Sequence, residues 1–266
     1  MTPVRLAVAA TFALLVSAGA AMGSAPTGTP GELVIAVSMP APGLQVGSVS
    51  GSTVVYARGL EVELGRAVAR RLGVRRVRFV QVPEPAQLVR PGAKRWDLAL
   101  AQIVPTPARA RAVELVGPYL SADQVVLLRR GIARPRSLAQ LAHVQLCAIR
   151  GSRGADVAAH RVRPLARSLL ARDLTELLRW VQTGRCDAAV ADGPALGAAV
   201  ARTPLRYGRV AGRIETGATF AIALPHGSPL AAGVARALAA LRADDVVTRL
   251  ARAWLGFDPA RLRALR

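Results

Sequence analysis

The residue types that most often carry chemistry are few in this chain and far apart. Three histidines, His143, His160 and His226, are scattered along it, without the close spacing that zinc ligands need, so no metal site is expected; no cofactor or catalytic residue is assigned. The more informative residues are arginines and aspartates beside short apolar runs. Two phrases echo each other, Arg95-Trp96-Asp97-Leu98-Ala99-Leu100-Ala101 and Arg185-Cys186-Asp187-Ala188-Ala189-Val190-Ala191. Each sets an aspartate at the start of a buried strand whose carboxyl end opens into a loop, and in open α/β sheets such ends are where ligands bind. The second phrase runs on into the turn Asp192-Gly193-Pro194. A further turn, Gly151-Ser152-Arg153-Gly154, leads from a strand into a helix.

The elements that would position these residues follow from periodicity. From Glu32 onward, short β-branched runs alternate with longer helical patterns, as in parallel sheets wound with helices. Residues 33–37 read as a strand, followed by a loop over 38–53. Leu60, Leu64, Ala67, Val68 and Leu72 fall on one helical face; Glu61 and Glu63 stand in the first turn, where the helix dipole favours acid, and Gly73 ends the helix. Strands are expected over 77–82 and 97–101, with a short helix over 85–90. A second unit repeats the grammar: strands over 125–128, 144–149 and 187–191, helices over 137–141 and 173–183. The chain closes with a strand over 219–224 and an amphipathic region over 230–255.

With 266 residues, 52% of them hydrophobic and 20% charged, the chain can bury a core without help from a metal or disulfide. Its 36 basic residues against 16 acidic ones give a formal charge of +20. Lys94 is the only lysine, asparagine is absent, and the arginines are spread through every segment. No basic stripe with interleaved aromatics is present, so nucleic acid is not expected as a partner; a general attraction to acidic surfaces is. Arg5, an apolar stretch over 6–22 and Ala18-Gly19-Ala20 compose a secretory signal over residues 1–25. The alternative is a retained anchor. No cysteine precedes Cys147, so no lipid-bearing N-terminal cysteine is expected, and the mature protein is expected to be periplasmic or extracellular. In an oxidising compartment Cys147 and Cys186 have one natural disulfide between them, the alternative being two buried thiols.

The order of several phrases resembles a known family. Gly31-Glu32-Leu33-Val34-Ile35-Ala36-Val37, Gly59-Leu60-Glu61-Val62-Glu63-Leu64, Trp96-Asp97-Leu98-Ala99, Thr106-Pro107-Ala108-Arg109, Gly117-Pro118-Tyr119, Arg150-Gly151-Ser152, Asp187-Ala188-Ala189-Val190-Ala191-Asp192 and Ala253-Trp254-Leu255-Gly256 are similar to the bacterial extracellular solute-binding proteins of the polar amino-acid type, family 3. The resemblance implies a type II periplasmic-binding-protein fold. Its two lobes, each a wound α/β sheet, are joined by two crossing strands and close over a ligand. Lobe 1 would comprise 31–122 and a return over 218–266, and lobe 2 would comprise 123–217. Cys147 and Cys186 would then lie in or beside neighbouring strands of lobe 2, so their link would staple it.

By the same resemblance, Arg109, framed by Thr106, would fork onto a ligand α-carboxylate, and Asp192 would accept its ammonium. A turn or helix-cap aspartate is the alternative for Asp192. Ser152 and the backbone N–H groups of its turn would help bind the carboxylate, against the alternative of a plain turn. The sequence departs from the family at three places. Arg153 stands where the family has a small hydroxyl residue, adding a cation. Val104, beside Gln102 and Ile103 on lobe 1's side of the cleft, replaces a hydroxyl. The stretch Ser38-Met39-Pro40-Ala41-Pro42 offers a polar residue and no aromatic lid, for which Tyr56 is the nearest substitute. The implied function is a monomer that captures a small zwitterionic or carboxylate solute, an amino acid first, and delivers it to an ABC permease. Two alternatives stand beside it: a dehydratase-like enzyme acting on cyclohexadienyl acids, with Asp192 or Glu215 as its acid, and a sensor or partner protein that kept the fold and lost transport.

Overall fold

The computed structural model describes residues 27–203 and 205–266; the expected signal segment lies outside them. Among the described residues no helix is long and apolar enough to cross a membrane. The chain begins with β1 (Glu32–Val37), the hairpin β2 (Val46–Ser50) and β3 (Thr53–Arg58), α1 (Leu60–Arg71), β4 (Arg76–Gln81), α2 (Pro85–Leu88), β5 (Leu98–Ile103), α3 (Pro107–Ala110) and β6 (Glu114–Ser121). It continues through β7 (Gln124–Leu128), α4 (Leu138–Leu141), β8 (Leu146–Ile149), α5 (Arg153–Val157), a π-helical turn at Ala158–Val162, β9 (Leu169–Ala171), α6 (Leu174–Thr183), β10 (Ala188–Asp192), α7 (Gly193–Arg202) and β11 (Val210–Ile214). Last come β12 (Thr219–Leu224), α8 (Ala231–Ala243), α9 (Val246–Leu255) and a short 3-10 turn at Pro259–Arg261.

These strands form two sheets. One has seven strands in the order β2-β3-β4-β1-β5-β12-β6, the other five in the order β11-β7-β10-β8-β9. The short apolar runs are strands because both faces of each sheet are covered. Leu33, Ile35 and Val37 pack into one core while Val34 and Ala36 pack into another on the opposite face, the two-residue period of a strand. Val125 and Leu127, against Val126 and Leu128, do the same in the smaller sheet. The helices are bounded as their sequences dictate. Asp173 caps α6 by accepting from the Glu176 N–H at 2.8 Å, and Gly184 ends it in the left-handed conformation.

The chain passes between the sheets at residues 121–124 and again at 214–219. Asp123 ties the two passages together. Its Oδ2 accepts from Arg213 Nη1 at 2.6 Å, and its Oδ1 accepts from the Thr216 N–H at 2.7 Å and the Gly217 N–H at 3.2 Å.

Three expectations need correction. The stretch 38–53, read as a loop, contains β2 and leads into β3, an edge hairpin whose exposed residues carry no apolar alternation. Asp192-Gly193-Pro194, read as a turn, opens α7, with proline at one of the first helical positions. The last residues, expected with lobe 1, lie on the five-stranded unit. Arg213 donates to the Arg263 carbonyl at 2.8 Å, the Leu265 N–H to the Arg213 carbonyl at 2.8 Å, and Leu265 is buried in that unit's core. An apolar residue carried on extended backbone pairs there as a strand edge would.

Candidate functional site: a cleft between the two sheets

A cavity of about 480 Å3 opens between the sheets. From the seven-stranded side it is lined by the 40–44 loop, by Gln102 and Val104 at the carboxyl end of β5, and by Phe220 on β12. The five-stranded side contributes Arg153, Leu174, Asp192, Pro194 and Ala195, and the two crossing passages supply Ala122 and Ala218 at the back. The lining is largely apolar. Against it stand one cation, Arg153, one carboxylate, Asp192, and the amide of Gln102.

The charged pair is set by two helix starts. Asp192 ends β10 and occupies the cap position of α7, yet its side chain makes no capping bond; its Oδ1 accepts from Gln124 Nε2 at 2.6 Å, and the carboxylate is exposed. Arg153 begins α5, exposed, while Ser152 spends its hydroxyl oxygen on the helix by accepting from the Ala155 N–H at 3.2 Å. Gly154 follows because a Cβ there would lie 2.4 Å from the Val190 carbonyl oxygen; any larger residue would push Arg153's turn off β10. Arg153 and Asp192 are thus held on adjacent parts of one rigid platform.

The opposite wall is positioned by a buried acid. Glu61, 0% exposed, receives the Gln102 N–H at 2.9 Å, Gln102 Nε2 at 2.7 Å, Gln45 Nε2 and the Tyr119 hydroxyl. Gln102 sits at φ +50, a left-handed conformation in which its N–H leaves the sheet, and the β5–β12 register is irregular there; the side chain is re-aimed as at a β-bulge. Gln45 in turn accepts the Ser38 N–H at 2.9 Å and so holds the loop that supplies Ala41 and Leu44. Burial raises the Glu61 carboxyl above its ordinary range, with its four donors working against that rise. The Tyr119 hydroxyl is raised too, first by burial and then by the neighbouring Glu61 charge.

Of the residues singled out from sequence, Gln102, Val104, Arg153 and Asp192 meet at the cavity. Arg109, Thr106, Ser152 and Ser38 do not line it. Arg109 Nη1 donates to the Val104 carbonyl at 2.7 Å, which puts it one residue behind the wall, while the Thr106 hydroxyl caps α3 by accepting from the Arg109 N–H at 3.2 Å. Ser38 is buried, its backbone N–H on Gln45. Ile103 is buried in the core on the other side of the sheet. Tyr56 cannot serve as the lid, because it is 87% exposed on β3 and absent from the lining; the aromatic of the cavity is Phe220. Glu215 is also elsewhere, paired with Arg213 at 2.8 Å and with Arg266 at 3.3 Å. Cys147 and Cys186, both buried, are joined in a disulfide with their Cα atoms 6.0 Å apart. Among the described residues no cluster of His, Cys, Asp or Glu suited to a metal ion occurs.

Sequence reasoning missed Glu61 and Gln45 as positioning groups. The signal for Glu61 was present: it stands three and seven residues before Leu64 and Val68, on the buried stripe of α1. Gln45 carried no such signal.

Two sheets joined by passages of the chain, with a cleft between them, define a two-lobed architecture. The family model for bacterial extracellular solute-binding proteins, family 3, matches residues 34–257, and the chain belongs to that family. A search of curated proteins returned no match. Among solved structures, the second substrate-binding domain of Lactococcus lactis GlnP in open conformation is similar at 18% identity and a TM-score of 0.73, over 89% of this chain and 100% of that one. The L-cystine solute receptor of Neisseria gonorrhoeae, unliganded and open, is similar at 20% identity and a TM-score of 0.72, over 85% of this chain and 94% of that one. An ancestral cyclohexadienyl dehydratase is similar at 19% identity and a TM-score of 0.64, over 85% and 93%. These likenesses establish the type II periplasmic-binding-protein fold.

Proposed function

We propose that the protein is an exported binding protein that captures a small amino-acid-like solute between its two lobes and delivers it to an ABC permease, without transforming it. One observation carries this reading: the cavity between the sheets offers one guanidinium and one carboxylate, Arg153 and Asp192, in a lining that is otherwise mostly apolar. A zwitterion needs such a pair, and an apolar surround strengthens both interactions. In this reading Asp192 takes the ammonium and Arg153 the carboxylate. Arg109 joins from behind Val104 with the donors its carbonyl bond leaves over, and Ser152 adds its turn. The remaining wall, with Leu44, Val104, Leu174 and Phe220, favours a ligand with an apolar side chain.

The experiment is a thermal-shift panel of the oxidised protein against the standard amino acids, small dicarboxylates and amines. A true ligand at about one hundred times its dissociation constant adds roughly 2.7 kcal/mol. Stabilisation by apolar α-amino acids supports the proposal; silence across all α-amino acids overturns it. The dehydratase-like relative motivates a second reading, and consumption of a cyclohexadienyl acid would move the function there. An enzyme of that kind needs a positioned acid, whereas Asp192, the cavity's carboxylate among the described residues, is exposed and bonded only to Gln124.

A further inference from the structure

A second polar cavity, about 460 Å3, lies elsewhere on the five-stranded unit, and its lining includes Arg129, Arg130, Arg134 and Arg209 with no carboxylate among them. Its place follows from the register. β7 runs antiparallel to β10, with Gln124 opposite Asp192 at the cleft end and Leu128 opposite Ala188 at the other. Arg129 directly follows Leu128, and Arg209 directly precedes Val210, which faces Leu127. The four arginines therefore gather at the pole of this lobe remote from the cleft.

Like charges do not assemble around one concavity without compensation, and here one carboxylate supplies it. Arg129 Nη2 bonds Asp187 at 2.9 Å. The others are steered by backbone carbonyls, which orient a guanidinium without neutralising it: Arg130 Nη1 donates to Leu205 O at 3.0 Å and Arg134 Nε to Ala211 O at 2.7 Å. Arg209 makes no side-chain hydrogen bond among the described residues. Each tether occupies one edge of a planar fork and leaves other N–H donors available. The two loops that carry the arginines are pressed together, since the Gly208 N–H donates to Leu128 O at 2.9 Å and a Cβ on Gly208 would lie 2.5 Å from the Arg129 carbonyl oxygen. Arg129, Arg130 and Arg134 are thus pre-arranged, which lowers the ordering cost of binding.

We infer that this pole is a binding site for a multiply charged phosphate-type oxyanion, whose oxygen pairs match bidentate guanidinium donors. Such a group could reach it as a free phosphate compound or as a lipid headgroup, and the test separates the two. Pyrophosphate is titrated calorimetrically, and the protein is sedimented with phosphatidylcholine vesicles with and without phosphatidylglycerol, at about 0.15 M salt so that diffuse attraction is screened. Binding of pyrophosphate alone supports a soluble ligand; sedimentation that depends on phosphatidylglycerol supports a headgroup. The double variant Arg130→Gln/Arg209→Gln should weaken whichever binding is seen by about tenfold or more. The pair Arg236→Gln/Arg252→Gln, exposed on α8 and α9, removes the same formal charge and should leave it unchanged. If the double variant fails to fold, Arg209→Gln alone is read, because its side chain holds nothing in place. Absence of binding to both probes overturns the inference, as does equal weakening by the two pairs, which would make net charge the whole cause.

Discussion

At the scale of single residues, the cleft separates groups that would touch a ligand from groups that hold those in place. Asp192 belongs to the first kind under the proposed function. Asp192→Asn should lower ligand affinity by tenfold or more, the loss of one charge-assisted hydrogen bond at about 1.5–3 kcal/mol; a calorimetric titration with unchanged affinity would remove it from the site. Arg109→Ala is expected to cost less than Arg153→Ala, because Arg109 stands behind Val104 while Arg153 lines the cavity. Glu61 is of the second kind. Glu61→Ala removes the acceptor of four donors, two of them buried, Gln45 Nε2 and the Tyr119 hydroxyl, and the variant should lose on the order of 2–4 kcal/mol in a denaturant titration. Because burial raises its carboxyl, the folded state favours the protonated form. Its effect on stability therefore worsens as pH rises from the ordinary carboxylate range through the raised one.

At the scale of elements, the smaller unit depends on strands too short to be stable alone, β8 with four residues and β9 with three. The disulfide fastens β8 at Cys147 to Cys186, just before β10. Reduction should destabilise this unit by about 2–4 kcal/mol while leaving every lining residue of the cleft in place; an equal loss of ligand affinity at a temperature where the unit stays folded would contradict that separation. The elements that sequence revealed are those with an apolar run, a strong period or a cap: β1, β4, β5, β7, β8, β10 and β12, with α1, α2, α4 and α6. What stayed hidden was of another kind. The β2–β3 hairpin is an edge whose side chains mostly face solvent, so burial imposed no alternation. Phe220 was legible as a strand residue, yet its exposure to the cleft depends on β12 lying beside β5 in space. Likewise Arg109 was legible by its Thr106 frame, while the direction of its side chain is decided by the Val104 carbonyl.

At the scale of the whole molecule, the two sheets are coupled at the crossing passages, and Asp123 is their knot. Burial works to raise its carboxyl, but the Thr216 N–H, the Arg213 guanidinium and the Ser121 and Thr216 hydroxyls outweigh it and hold the pKa below the usual range. The folded value lies under the unfolded one, so this stabilisation is present above about pH 4 and is lost as pH falls through the folded pKa. An acid titration should show wild type losing stability more steeply below about pH 4 than Asp123→Asn, which has no such increment to lose. The C-terminal segment reinforces the same junction from the far side. Leu265→Ala should cost about 2–5 kcal/mol in chemical denaturation, since it empties a fully packed site in the smaller unit. That segment starts beyond α9, on the larger unit, and ends beside Arg213 on the smaller. Two parallel straps allow both bending and torsion, as a door on cords can swing and also skew. A third attachment resists that skew, so a swing about the two passages is the relative motion of the halves expected to cost least.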